Sequence, residues 1–403
     1  MSKLKITKNG FYLFTVFLYL FFLSFLNFTI FYQVAALIMI VTSIYKCLTT
    51  LQLKSSPYFI FQLVFIVYIA AYIPLGLTIN VNSTISAIKT IGFNLLINFA
   101  LFNLIDSKEN LFRILKMFIP IAIFSGIYII IISGGGGIDG RLGHGITRPF
   151  ADASQTYTSM EFASWSLYAA TFCLFFYLTE KKKVYLIPIP FYWVIILWAG
   201  SRKWALFGII IYIFVFVFCD ERKNLRQKMH RLFAILLFLL FLFMLMINVP
   251  MFYETIGSRI VGFFNGTESS ASTRQIMLET AFNYISKNPF FGYGFNTFRN
   301  ISIFETWSEC NYTELLFGGG IPLFILFYGY EIGLAKTLFI HRKENKLFVL
   351  FLGIILMLIS SDYISVSYQD RLASLIITLC SFSVFQYKKT ISQKEYILWK
   401  FTL

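Results

Sequence analysis

Twelve apolar runs, separated by short polar or charged stretches, constrain this 403-residue chain more than any other feature. They cover residues 11–26, 29–45, 58–78, 85–105, 118–132, 157–178, 184–199, 204–219, 232–249, 314–334, 347–360 and 372–387. A bilayer's hydrocarbon core is about 30 Å thick, and roughly 20 apolar residues in a helix cross it, fewer where the ends snorkel. In hydrocarbon every backbone N–H and C=O must be paired internally, which a helix achieves within one segment. The expected fold is an all-α polytopic membrane protein with about twelve transmembrane helices. Composition excludes a water-soluble enzyme: 58% of the residues are apolar and 13% charged, where soluble domains hold about 45–50% and 25%. The first run follows Lys3, Lys5 and Lys8 as a signal peptide would, but it lacks a small-residue cleavage site and reads as a retained anchor.

The net charge of +15 would suit a nucleic-acid binder, but its distribution argues for topology instead. Lys and Arg are retained on the cytoplasmic side of a membrane. With the N-terminus inside, 24 of the 34 fall in cytoplasmic segments and 10 outside, while the acids split 8 inside and 11 outside. Both termini are therefore expected in the cytoplasm, and the basic loops need no nucleic acid to explain them. The single chain-long membrane domain then carries two long outer loops, 133–156 and 250–313. Loops of that length are uncommon unless they bind or catalyse. Of the five cysteines only Cys310 reads as water-accessible, so no intrachain disulfide is expected.

Six of the ten outer cations are arginines in these loops and in the short turn 200–203. Arginine presents a planar fork that pairs bidentately with phosphate, where lysine is a point charge. Candidate pyrophosphate-binding residues are Arg141, Arg148, Arg202, Lys203 and Arg274. Arg202 and Lys203 open an apolar run, where free N–H groups and the positive helix end favour an anion. In the second loop Ser272 or Thr273 is placed to cap a helix, and Ile276, Met277, Ala281, Phe282 and Ile285 recur at helical spacing. That pattern predicts an amphipathic helix on the membrane surface, carrying Arg274 and ending at Asn288-Pro289, with a tight turn at Gly292-Tyr293-Gly294. Glu309 and Glu314 stand just before and at the start of the next span. Either can serve as a general base, and either can merely cap the helix. Phe150, Tyr293, Phe295, Phe298 and Trp307 are candidates for stacking on sugars, with anchoring in the aromatic belt of the membrane interface the favoured role for most of them. No metal site is expected, because His144 is the only outer histidine and no HExxH or DxD pattern occurs.

The order GSRKWALFG (200–208), STRQ (272–275), NPFFGYGFNTF (288–298) and NYTELLFGGGIPLF (311–324) resembles the family of bacterial O-antigen ligases and O-antigen or capsular polysaccharide polymerases. The resemblance lies mainly in residues 200–325 and in the twelve-helix pattern. It implies a glycosyltransferase C-like fold with a long helical extracytoplasmic loop, in the bacterial inner (cytoplasmic) membrane. The implied chemistry is transfer of a glycan from undecaprenyl pyrophosphate on the outer face, without metal or other cofactor. Outer-loop arginines, matched by Arg202 and Arg274, would hold the pyrophosphate. Besides lipid-linked oligosaccharide and bilayer, the implied partners are the chain-length regulator and flippase of the same pathway. The sequence departs from the ligase pattern at its histidine, where alignment places Glu309 or Cys310. That departure favours a polymerase. A ligase, or a flippase or transporter without chemistry, is the alternative.

Overall fold

The computed structural model describes residues 8–401 apart from 135, 136, 138, 139, 152–154, 220–224, 259, 260, 263, 264 and 266–268. Its regular structure is helical: α1 (Lys8–Phe25), α2 (Ile30–Thr50), α3 (Pro57–Ala71), α4 (Val81–Leu104), α5 (Lys108–Ser133), α6 (Ser159–Glu180), α7 (Ile189–Trp198), α8 (Arg202–Cys219), α9 (Leu225–Asn248), α10 (Ser269–Ile285), α11 (Asn311–Ile340), α12 (Lys346–Ser361) and α13 (Arg371–Phe401). Each of the twelve apolar runs is helical over most of its length. Among the described residues seven helices, α1, α2, α4, α5, α6, α8 and α11, are long and apolar enough to cross a membrane, and shorter apolar helices accompany them at 57–71, 183–198, 236–245 and 346–361. The fold is an all-α polytopic membrane protein.

Several helix ends depart from the apolar pattern for local reasons. The run 58–78 leaves the helix at Ala71, because Pro74 has no N–H to donate and Gly76 turns left-handed at φ 65°. The run 184–199 begins as a single 3-10 turn at Lys183–Leu186 and becomes α-helical only beyond Pro188. Helix α4 starts at Val81 rather than residue 85, since the Asn80 side chain accepts the Ser83 amide at 3.0 Å and caps it. Helix α5 starts ten residues before its apolar run, at Lys108.

The chain forms two compact units. The first holds residues 1–39 and 112–268, the second 40–111 and 269–403. In the first unit α6 is the central element: nearly all of its side chains are buried, and it packs on α7 and α8. One cluster of that unit gathers Phe25, Leu26, Ile129, Leu142, Tyr157, Phe162 and Ile195. Beside it Thr147 and Thr156 form an antiparallel bridge. In the second unit α3 packs on α4, α4 on α13, and α11 on α10, α12 and α3. Its core is built from Phe65, Ile69, Phe295, Leu315, Leu323 and Phe327, among others.

Candidate functional site

In the second unit, α11 is broken inside its apolar stretch. Gly320 sits at φ 68°, ψ −170°, a region that essentially only glycine occupies. Such a break would strand main-chain groups in a low-dielectric interior, which is tolerated only where other protein groups pair them. Here the loop 288–294 does so. Tyr293 and Gly294 donate their amides to Phe317 O at 2.7 Å and Gly318 O at 2.9 Å. Ile321 donates to Pro289 O at 2.9 Å, and the Tyr68 hydroxyl donates to Gly319 O at 2.8 Å. The Asn-Pro-x-x-Gly-x-Gly segment is thus the main-chain complement of the Gly-Gly-Gly break. A Cβ at Gly294 would overlap Thr78, and one at Gly320 would overlap the Phe290 carbonyl.

This interlock corrects the expected role of three aromatics. Phe295 and Phe298 are fully buried in the core, and Tyr293, partly buried, packs against it by stacking on Phe317 with ring centroids 5.2 Å apart. Phe150 and Trp307 remain exposed, Trp307 donating its indole N–H to Asn296 Oδ1 at 2.6 Å. The expected apolar face of α10 is also narrower than its spacing suggests. Met277, Ala281 and Ile285 pack on Phe298 and Phe317, while Ile276 and Phe282 are exposed. Ser272 and Thr273 lie inside that helix, which begins at Ser269, and do not cap it.

The segment leading into α11 brings two of the expected residues together. Arg274 Nε meets Glu309 Oε2 at 2.5 Å, with 26% and 43% of the two side chains exposed. The pair therefore forms from α10 and from a loop 35 residues later, and both side chains stay partly exposed. Glu314 does something different. It is 2% exposed, and its Oε1 accepts the Ser308 amide at 2.7 Å, so it acts as a strap over the first turn of α11. Cys310, expected at a water-accessible position, is 3% exposed as the residue just before that helix. All five cysteines are free thiols.

In the first unit, Gly200 at φ 64° turns the chain so that Arg202 and Lys203 begin α8. Both side chains are half-buried, and Lys203 Nζ lies 4.4 Å from the centroid of the Trp204 ring. Ser201 is buried, and its hydroxyl has no hydrogen-bond partner among the described residues. Arg148 is 2% exposed: Nη2 pairs with Glu161 Oε1 at 2.5 Å, Nε donates to Thr156 O at 3.1 Å, and the guanidinium lies 4.5 Å from the Tyr157 ring centroid. This arginine staples the 147–156 bridge onto α6. Arg141, half-buried, accepts the His144 amide on its carbonyl at 3.2 Å.

Glu161, the partner of Arg148, and Asp362, which bonds to Asn311 at the start of α11, were not singled out by sequence reasoning. Each acid stands at the end of an apolar helix, where the sequence alone cannot separate a functional acid from an interface residue. Arg259 lies outside the described residues. Among the described residues no group of three or more His, Cys, Asp or Glu is placed to hold a metal ion. No curated protein matches the chain. Residues 184–328 match the family model described as O-Antigen ligase, and that stretch, which holds Arg202, Lys203, Arg274, Glu309 and Glu314, is what the chain shares with it.

Proposed function

We propose that the protein is a metal-independent polymerase of undecaprenyl-pyrophosphate-linked oligosaccharide repeats, of the O-antigen or capsular type. It would act on the outer face of the bacterial cytoplasmic membrane, with both termini inside. The observation that carries the reading is the accessible Arg274–Glu309 pair within the matched stretch. A glycosyl pyrophosphate already has a good leaving group, so catalysis consists mainly of neutralising the developing phosphate charge and orienting the acceptor hydroxyl. Pairing through Nε leaves the terminal amino groups of Arg274 for the phosphate. Glu309 then orients, and takes the proton from, the acceptor hydroxyl. Arg202 and Lys203, at the N-terminus of α8, are the proposed second source of positive charge. Arg141 and Arg148 were candidates for the same role, but Arg148 is committed to Glu161 and carries less of the argument.

The family description favours a second reading, a ligase that moves a finished glycan to another acceptor. No histidine stands between residues 300 and 324, where the ligase pattern has one, and this favours polymerase. Purified protein incubated with lipid-linked repeats and excess chelator tests both. A ladder of elongated lipid-linked products is the expected result. Activity that vanishes with chelator and returns with Mg²⁺ or Mn²⁺ overturns the metal-free mechanism. Transfer only to a non-homologous acceptor, with no ladder, makes the protein a ligase.

A further inference from the structure

Glu309 has a left-handed backbone, φ 56°. Non-glycine residues hold that conformation only where the surroundings over-determine it. Both flanks supply the constraint. On one side Ser308 is strapped by Glu314, and its hydroxyl also lies 2.8 Å from that of Thr313. On the other side is Asn311, which is completely buried. Its amide donates to Asp362 O at 2.7 Å and to Ser365 O at 3.1 Å. Its side-chain Nδ2 donates to Asp362 Oδ2 at 2.9 Å and to the Tyr328 hydroxyl at 3.0 Å, while its Oδ1 accepts the Ser367 and Tyr368 amides at 3.1 and 3.2 Å. Tyr328 in turn donates to the same Asp362 Oδ2 at 2.8 Å.

Asp362 follows the last turn of α12 and is 1% exposed. A carboxylate there opposes the negative end of the helix, so capping does not explain it. A buried acid next to an apolar span is also costly to keep. Its hydrogen bonds run across to α11, two residues from Glu309. One oxygen, Oδ2, accepts from both Asn311 and Tyr328 and so ties the start of α11 to the end of α12.

We propose that Asp362 is a positioning residue for the transfer reaction: through Asn311 it sets the Glu309 carboxylate against Arg274. The inference rests on the function proposed above for that pair. Asp362 exchanges no proton with substrate, and its contribution is the placement of the loop 308–311.

The test uses purified full-length Asp362→Asn and Tyr328→Phe proteins. Turnover on lipid-linked repeats is measured together with hydrogen exchange of the 308–315 peptide. Displacing a reacting group by about 1 Å costs on the order of a hundredfold in rate. Asp362→Asn is therefore expected to lower kcat by about that factor while the KM for the lipid donor moves less than about twofold. Exchange at 308–315 should quicken in Asp362→Asn, and less in Tyr328→Phe, with α10 exchanging as in wild type. Wild-type kcat in Asp362→Asn, or unchanged exchange at 308–315, overturns the proposal. If Asp362→Asn does not fold, Tyr328→Phe decides: a reduced kcat at wild-type thermal stability supports the role, and a wild-type kcat overturns it. Wild-type protein that transfers nothing brings down the proposed function and this inference together. Normal Asp362→Asn turnover beside a slow Glu309→Gln variant brings down only the inference.

Discussion

Glu309 and Glu314 stand five residues apart and end in opposite surroundings, one carboxylate accessible against Arg274 and the other buried on the Ser308 amide. Their substitutions should separate accordingly. Glu309→Gln is expected to slow transfer by about a hundredfold to ten-thousandfold, the usual cost of losing a general base, with donor binding little changed. Glu314→Gln keeps an acceptor for the Ser308 amide, so it should cost no more than about 1 kcal/mol of stability and leave the chemical step near wild type. In vitro extension rates and thermal unfolding in detergent, read side by side, check both. Arg202→Lys keeps the charge and loses the fork, so polymer length on a gel should remain short at unchanged membrane protein level. Full-length polymer from that variant would make Arg202 an interface anchor. A further residue-scale effect depends on pH. Burial acts to raise the Asp106 carboxyl, but hydrogen bonds from Lys46 at 2.6 Å and Lys54 at 2.8 Å, with their charges, outweigh it and hold it below its ordinary value of 3.8. A depressed folded value means the pairing stabilises above the unfolded value and is lost as pH falls through the folded one. Wild type should therefore outlast Asp106→Asn on heating at pH 7, and the gap should close only as pH drops below 3.8.

At the scale of elements, the break in α11 and the loop 288–294 form one unit of structure. Gly320→Ala would place a Cβ on the Phe290 carbonyl and force a conformation closed to side chains. The backbone strain alone is on the order of 1–3 kcal/mol. The overlap adds to it, so a large fall in thermal midpoint is expected. Gly329→Ala is the matched control, because nothing lies within 4 Å of a Cβ there, and it should be neutral or slightly stabilising. Equal midpoints for the two variants would mean that the loop does not depend on the break. The sequence shows each half of this interlock separately, a turn at Gly292-Tyr293-Gly294 and a glycine run before Pro322. Their pairing is invisible there, since main-chain hydrogen bonds between distant segments leave no side-chain signature beyond the glycines. The same limit explains the aromatics. Phe295 and Phe298 sit in a stretch between helices, where an aromatic can face a sugar, the membrane interface or the core, yet the loop folds inward to cover the break and carries them into the core.

At the scale of the whole molecule, the Lys and Arg asymmetry predicts that reporters fused after Lys228 read cytoplasmic and those after Asn265 read external. An external signal after Lys228 would reverse the orientation and remove the outer-face mechanism. The sequence by itself determined the class of fold and the number and order of apolar helical runs, because the cost of burying an unpaired backbone in hydrocarbon leaves few alternatives to a helix. It also carried the family likeness, in glycines and prolines whose backbone demands are local and in the cations between spans. Only the tertiary structure decided which charges meet. Arg274 reaches Glu309 across 35 residues, Arg148 is sequestered by Glu161, and Asp362, just past the end of α12, accepts from the neutral Asn311. An apolar pattern states that a helix is buried in lipid or protein, but it does not state which polar ends are folded against one another. The Arg274 pairing, for one, is made by a residue whose own backbone is left-handed, Glu309 at φ 56°, a conformation that no apolar pattern announces.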